Sequence, residues 1–256
     1  MNPYPFEART AVVVAHPGHE LRVHGLVERV RPLVFVLTDG SGRSGRSRLA
    51  YTSRLLSDLG APVSPVFGRF TDLELYRAML DGRVDVFLRL AEEIAERLVS
   101  EGIEVVVTDD AEGYNPAHDV CRFLADAAAS LAASPGHGAL SSYAFAVVGP
   151  PAGDVTLTLD DTALRRKLDA ARRYEPLAGE VAAELEKKGV ASFRVERFRK
   201  SRGPEAESSR EVPFYESYGE RQVAAGFYER VLRHDEHVLP IRQALRACSS
   251  KGAILS

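Results

Sequence analysis

The stretch VVVAHPGHELRVHG, residues 12–25, decides how the rest of the sequence is interpreted. It begins inside a continuous apolar run, residues 10–15, which is typical of a strand buried on both faces. Pro17 and Gly18 end that run, and His16 and His19 lie where the chain turns from strand into helix. Neutral imidazoles bind zinc, but histidines in such a turn also serve as hydrogen-bonding groups of a polar cleft. The spacing alone leaves both interpretations open.

Strands and helices alternate along most of the chain. Further buried strands are predicted for the apolar runs at 32–38, 62–67, 103–108 and 143–149. Helices are predicted for the amphipathic segments at 19–30, 46–59, 84–100 and 117–132. This alternation predicts a Rossmann-like α/β fold, with a mostly parallel sheet flanked by helices. Sites in such sheets form beyond the carboxyl ends of the strands, so His16, Asp39 and the segment after Thr108 are expected at one edge.

The sequence predicts one domain over residues 1–256, with a core at about 8–200. VTLTL at 155–159 is expected to be an edge strand, and SFRVERFR at 192–199 a last strand. The charged segment 200–213 is expected to be a mobile loop, because it lacks apolar anchors. A helical C-terminal extension is expected at about 214–246.

Composition restricts the function. A net charge of -3 gives no basic face for nucleic acid. Cys121 and Cys248 are far apart, which suits a reducing compartment and argues against a thiolate zinc site. No signal-peptide pattern is apparent, and the apolar runs are far below the ~20 residues of a membrane span. We therefore expect a cytoplasmic protein with a small-molecule substrate and with neither nucleic-acid nor membrane partners.

A third histidine strengthens the metal interpretation. His118 lies in TDDAEGYNPAHDV, residues 108–120, directly after the fourth predicted strand and therefore at the same edge. Three histidines and a water make an open site of the catalytic zinc type. Iron and copper also accept histidine-rich ligation, so the ligand set does not select the metal.

A competing motif, GSGRSG at residues 40–45, matches the dinucleotide pattern G-x-G-x-x-G. It follows the second strand instead of the first, and no acidic residue ends the next strand, which favours a polar turn. Arg43, Arg46 and Arg48 beside it are candidates for binding an anionic or sugar-bearing substrate. A solvated face explains them equally well.

The motifs resemble those of the LmbE-like, or PIG-L, N-acetylglucosaminyl deacetylase family. VVVAHPGHE resembles the family's first motif, usually A-H-P-D-D-E, and EVVVTDDAEGYNPAHDV resembles the segment usually ending in H-P-D-H. VFVLTDGSG and VTLTLDDTALRRKLDAARRY are similar to other strands and helices of the family. The resemblance covers roughly residues 10–175.

The resemblance implies a zinc hydrolase that removes an acetyl group from an amino sugar. It implies metal ligands at His16, His19 and His118, where His19 replaces the aspartate of the family. It also implies that Asn115, in place of a histidine, polarises the substrate carbonyl.

The family's general base is replaced by Gly18, which cannot accept a proton. Loss of a positioned base costs typically ~10²–10⁴-fold in rate. Asp39 and Asp109, which end neighbouring strands, are candidates for a base, a hydrogen-bond partner of a ligand histidine or a substrate contact.

Three hypotheses remain. The first is a metal-dependent amide hydrolase, with zinc as the expected metal, acting on an N-acetyl amino sugar or a related N-acyl metabolite. The second is a catalytically degenerate protein that binds a metal or a ligand. The third is a three-histidine site used for other metal chemistry, with iron as a candidate.

Overall fold

A seven-stranded sheet lies at the centre of the computed structural model, which describes residues 5–133, 138–149, 152–201 and 212–252. The strands of this sheet are β1 (Thr10–Val14), β2 (Leu33–Thr38), β3 (Val63–Phe70), β4 (Val105–Asp109), β5 (Ser141–Phe145), β6 (Val155–Thr158) and β7 (Val195–Lys200). Their order in the sheet is β3-β2-β1-β4-β5-β7-β6. The strands β1 to β5 pair in parallel, whereas β7 is antiparallel to both β5 and β6. The predicted α/β fold with a mostly parallel sheet is confirmed, and VTLTL forms the predicted edge strand.

Helices flank this sheet. Those within the described residues are α1 (His24–Val30), α2 (Leu49–Leu59), α3 (Asp72–Leu80), α4 (Val84–Ser100), α5 (Pro116–Ala132), α6 (Asp161–Arg173), α7 (Ala178–Lys188), α8 (Phe214–Ala224) and α9 (Leu239–Gly252). The C-terminal helix α9 packs on α5 and α4. No helix in the described ranges combines the length and the apolar character needed to cross a membrane.

The two faces of the sheet bury separate apolar clusters. In β1, Ala11 and Val13 contact the cluster that includes α4, α5 and α9, whereas Val12 and Val14 contact the cluster that includes α1. Side chains alternate between the faces of a strand, so a strand covered on both faces must be apolar throughout. All five residues of β1 are buried, and this is why the sequence shows an unbroken apolar run.

The position of β1 determines where the site forms. The strands β2 and β3 follow β1 on one side, whereas β4 pairs with its other side. The carboxyl ends of β1 and β4 therefore border a topological switch point, where a crevice opens in doubly wound sheets. His16 follows β1 by two residues, and the segment that contains His118 follows β4.

Several local predictions need correction. The predicted helix at 19–30 is a 3₁₀ turn, His19–Leu21, followed by α1. The expected helical extension at 214–246 is not continuous, because α8 ends before Gly226, whose φ of 73° stops a helix. A π-helical turn, His234–Val238, then leads into α9. Of the predicted loop at 200–213, residues 202–211 lie outside the described residues.

Candidate metal centre

Three histidine side chains from two distant segments meet beyond the carboxyl ends of β1 and β4. The ring centroids of His16 and His19 are 5.3 Å apart, those of His16 and His118 are 5.3 Å apart, and those of His19 and His118 are 4.6 Å apart. His118 reaches the group from the first turn of α5, which Asn115 caps and Pro116 begins. The structure thus brings together all three histidines that the sequence predicted as ligands.

A carboxylate orients the ring of His16. Its Nδ1 lies 3.0 Å from Asp72 Oδ1 and 2.8 Å from the hydroxyl oxygen of Thr38. The Thr38 hydroxyl itself donates to the carbonyl of Ala15, so both neighbours accept from the Nδ1–H of His16. Burial opposes ionisation of Asp72, yet its contacts with His16 hold its pKa well below the usual range. With Nδ1 protonated, Nε2 of His16 keeps a free lone pair.

A second carboxylate orients His19. The Nδ1–H of His19 donates to Asp109 Oδ2 at 2.8 Å, and the backbone N–H of Ala15 donates to the same oxygen at 2.8 Å. Burial raises the pKa of Asp109 to about 6. Metal-binding histidines usually make such a hydrogen bond, because it fixes the tautomer and the ring orientation. Asp109 is therefore placed as the hydrogen-bond partner of a histidine.

Burial also keeps two of the three imidazoles neutral. It lowers the pKa of His19 and of His118 well below the ordinary value, and the neighbouring histidines lower it further. A neutral imidazole is the form that binds a metal ion.

Buried polar atoms without partners lie at the same place. His16 Nε2, His118 Nδ1 and Asp109 Oδ1 have no hydrogen-bond partner within the described part of the chain. Buried polar atoms nearly always have a partner, so a cluster of three indicates a site for a further group. Nitrogen and carboxylate oxygen are both zinc ligands.

The spacing of the rings also suits zinc. With Zn–N bonds of about 2.0–2.1 Å and tetrahedral angles, imidazole centroids lie roughly 5 Å apart. Across the four described ranges, however, no group of three or more His, Cys, Asp or Glu side chains is already arranged to hold a metal ion. The rings contact one another edge to face, at interplanar angles of 65° to 90°. The residues fit zinc in donor chemistry and in spacing, but the donor atoms are not preassembled.

Residue 18, where the resemblance places a general base, is a closed position. Gly18 has a φ of 106°, and a Cβ added to it would lie 2.3 Å from Leu177 Cδ1. The adjacent Glu20 is fully buried, where it accepts from the Gly18 N–H at 2.8 Å and from the Thr52 hydroxyl at 2.6 Å. Neither residue supplies a carboxylate to the histidines.

Asn115 is placed differently from the candidate base Asp39. Asn115 lines the cavity beside His118, and its Oδ1 caps α5 by accepting from Ala117 N–H at 2.9 Å. Its side-chain NH₂ has no partner in the described ranges and is available to donate to a carbonyl oxygen. Asp39 accepts from Ser41 N–H at 2.9 Å and is not among the residues that line the cavity.

The three candidate arginines separate. Arg48 lines the cavity and donates from Nε to the carbonyl of Gly40 at 2.8 Å. Arg43 lies over the ring of Phe227, 4.4 Å from its centroid, and Arg46 is exposed. Only Arg48 of these three borders the histidines' cavity.

The histidines lie in a cavity of about 740 Å³. Beyond the histidines it is bordered by Arg22, Glu180 and Glu184 and by the loop at 146–149. A volume of this size is within the usual range of small-molecule sites, about 300–1,000 Å³.

Sequence reasoning missed two contributors to the site. Asp72 was not considered, although Thr71 and Glu74 form a capping box that marks the start of α3 and places Asp72 in its first turn. The contact of Leu177 with Gly18 could not be predicted from the local sequence, because about 160 residues separate the two.

Two solved structures show a similar fold. The first is the N,N'-diacetylchitobiose deacetylase from Pyrococcus horikoshii complexed with its inhibitor MPG. Its TM-score is 0.54 at 17% identity, over 78% of this chain and 86% of that chain. The second is the conserved protein TT1542 from Thermus thermophilus, with a TM-score of 0.51 at 17% identity, over 78% of this chain and 100% of that one.

No family model matches the sequence, and no curated protein matches it. The likeness to the two solved structures confirms the LmbE-like fold that the motifs predicted. At 17% identity it defines the fold alone, so function must be argued from the site.

Proposed function

We propose that this protein is a metal-dependent amide hydrolase that deacetylates an N-acetyl amino sugar or a related N-acyl metabolite. The observation that carries the proposal is the meeting of His16, His19 and His118, two of which have a carboxylate behind Nδ1. The fold likeness to an N,N'-diacetylchitobiose deacetylase supports the substrate class. A cytoplasmic location stays a prediction from the sequence.

The three histidines would hold the metal, and zinc is the metal we propose. When bound, zinc supplies a Lewis acid that polarises a carbonyl and lowers the pKa of a water. Asp72 and Asp109 keep the Nδ1 atoms of His16 and His19 protonated, so that the Nε2 atoms remain available.

Other residues would position the substrate. The side-chain NH₂ of Asn115 would donate to the carbonyl oxygen of the acetyl group, where negative charge develops as the amide is attacked. Arg48 would contact a polar group of the substrate, since its guanidinium borders the same cavity.

Metal content of the purified protein tests the site directly. We expect about one zinc per chain, lost in His118→Ala and kept in His237→Ala, which alters a histidine in a separate segment. Acetate release from N-acetylglucosamine and its disaccharide is then measured with and without the metal. Absence of any bound metal after incubation with zinc or iron would refute the proposal.

The closed position at Gly18 favours a second candidate, a protein that has kept the fold and the histidines but has lost hydrolysis. In that case the protein binds the metal and the sugar, and acetate release stays at the background rate. Bound iron in place of zinc would favour the third hypothesis, other metal chemistry at the same histidines.

A further inference from the structure

The helix α7 differs from the other helices in how little of it is buried. Each of the other α-helices has at least one buried residue within the described ranges, whereas all 11 residues of α7 are half-buried or exposed. Its apolar contacts include Val181 and Leu185, which pack partly buried against two small clusters. Segments with few buried apolar contacts detach from a fold more easily than its core helices. The attachment of α7 is therefore weaker than that of the helices that flank the sheet.

This weakly attached helix borders the cavity of the candidate metal centre. Glu180, Glu184 and Lys187 line that cavity. Their spacing of four and three residues places them on one face of the helix. One face of α7 thus forms a wall of the cavity that contains the histidines.

The chain is fixed on either side of α7. Before the helix, Tyr174 is only 2% exposed, and its hydroxyl oxygen lies 2.8 Å from that of Thr52. After the helix, the guanidinium of Arg194 donates to the carbonyl of Leu159 at 3.0 Å. Because both ends have their own anchors, α7 can move without displacing α6 or β7.

Two glycines mark the ends of α7. Gly179 is its second residue, and Gly189, with a φ of 73°, ends it. A Cβ added to either glycine would meet nothing within 4 Å, so close packing does not require a glycine at these positions. Glycine weakens a helix because it keeps more backbone freedom than other residues in the unfolded chain. The backbone can therefore turn at both ends of α7.

An ion pair joins α7 to the turn that bears His19. Both carboxylate oxygens of Glu184 lie within 2.8 Å of Nη1 of Arg22, which follows His19 by three residues. Burial opposes ionisation of Glu184, yet its contacts with Arg22 and Lys188 hold its pKa below the ordinary value. The side chain of Arg22 is 39% exposed, so solvent screens the pair and it breaks at a modest cost. We call this ion pair the latch.

We propose that α7 is a lid over the histidine cavity, with hinges at Gly179 and Gly189 and with the Arg22–Glu184 latch holding it shut. When the latch breaks, α7 moves away from the sheet and the cavity opens to a ligand. When the latch forms again, the same helix face encloses that ligand beside the histidines. The lid requires the cavity and the ion pair but not hydrolysis, so it goes beyond the proposed function.

Electron paramagnetic resonance measures the position of α7 directly. Nitroxide labels are attached at Glu186→Cys on α7 and at Glu96→Cys on α4, in a Cys248→Ser background that keeps only the buried Cys121. Since α4 packs on one face of the sheet and α7 packs on α6, which contacts α1 on the other face, opening lengthens the distance between the labels. We expect Arg22→Ala to raise the ratio of open to latched protein by roughly 2- to 5-fold.

Matched measurements separate the latch from a general loosening of the fold. Arg230→Ala removes an equally short ion pair with Asp81, outside the cavity, and leaves the distance distribution unchanged. Added salt opens the parent chain and has no effect on Arg22→Ala, because salt screens the ion pair that this variant lacks. Gly179→Ala stiffens the first turn of α7 and lowers the open fraction.

Chemical modification tests whether α7 controls access to the histidines. Diethylpyrocarbonate modifies imidazoles, and peptide mass spectrometry gives its rate at His118 in metal-free protein, with His237 as the internal reference. We expect Arg22→Ala to raise the rate at His118 by the same factor as the open fraction, and to leave the rate at His237 unchanged.

An unchanged distance distribution in Arg22→Ala overturns the lid. So does an unchanged rate at His118 in a variant whose labels have moved apart, because α7 would then move without controlling access. Neither measurement needs acetate release or bound zinc, so failure of the lid is distinguishable from failure of the proposed hydrolysis.

Discussion

Residue 18 gives the sharpest test of the structure, because two independent penalties meet there. A side chain at φ 106° has a strained backbone, which costs about 1–3 kcal/mol. The new Cβ would also lie 2.3 Å from Leu177 Cδ1, and such overpacking costs about 1–3 kcal/mol. Leu177 is only half-buried and can turn aside, so the second penalty falls at its lower end. We expect Gly18→Ala to lower the free energy of unfolding by about 2–4 kcal/mol.

Gly45→Ala is the matched control. Gly45 also has a positive φ, 65°, but a Cβ added there meets nothing within 4 Å. It should therefore lose only the backbone part, about 1–2 kcal/mol. Urea unfolding of the two variants, followed by circular dichroism, measures the difference.

Leu177→Ala isolates the contact. In the double variant with Gly18→Ala, the clash is removed and about 1 kcal/mol of the loss should return as a coupling energy. The reasoning is refuted if Gly18→Ala costs no more than Gly45→Ala, or if the double variant shows no coupling.

The same geometry bears on catalysis. Gly18→Asp should fail to raise acetate release, because a side chain at φ 106° is strained and its Cβ meets Leu177 Cδ1 at 2.3 Å. The double variant Gly18→Asp/Leu177→Ala removes the contact with Leu177, and only in that variant do we expect the added carboxylate to act as a base. A gain in activity from Gly18→Asp alone would show that residue 18 is not closed.

Three further predictions concern the surroundings of the histidines. Asp72→Asn should weaken zinc binding by about 10–100-fold, because Asp72 orients the ring of His16. The control Asp39→Asn should leave zinc binding unchanged. Competition with a zinc chelator measures both affinities, and equal affinities of the two variants would contradict the orienting role of Asp72. Zinc at 100 times its dissociation constant should raise the free energy of unfolding of the parent chain by about 2.7 kcal/mol and leave that of His118→Ala unchanged. A thermal melt measures this stabilisation, and addition of a chelator should reverse it. Glu112→Ala should lower the free energy of unfolding by about 1–3 kcal/mol, because three backbone N–H groups lose the carboxylate that accepts from them. A melting temperature equal to that of the parent chain would contradict a stabilising role of these hydrogen bonds.

The sequence predicted the sheet well because its central strands are buried on both faces. An unbroken apolar run such as 10–15 has few alternatives to a strand buried on both faces, and the turn residues that follow it show where the strand ends. The meeting of His16 and His118 followed from topology, since parallel strands end at a common edge. Whether they bind a metal stays a prediction.

What the sequence left out depends on contacts that are distant along the chain. Asp72 reaches His16 from a helix that follows an irregular end of β3, and nothing in the composition of α3 indicates that contact. Leu177 covers Gly18 from a short 3₁₀ turn. The break between α8 and α9 was missed because apolar residues continue through it, although Gly226 marked the end of α8.

The two halves of the candidate metal centre lie about 100 residues apart in the chain, and a long closed segment makes such a contact entropically costly in an unfolded polypeptide. They meet only after β1 and β4 have paired side by side. An ion held by both would therefore act as a crosslink between the first and the second half of the parallel sheet. Binding of the ion during refolding would therefore report when those two halves of the sheet come together.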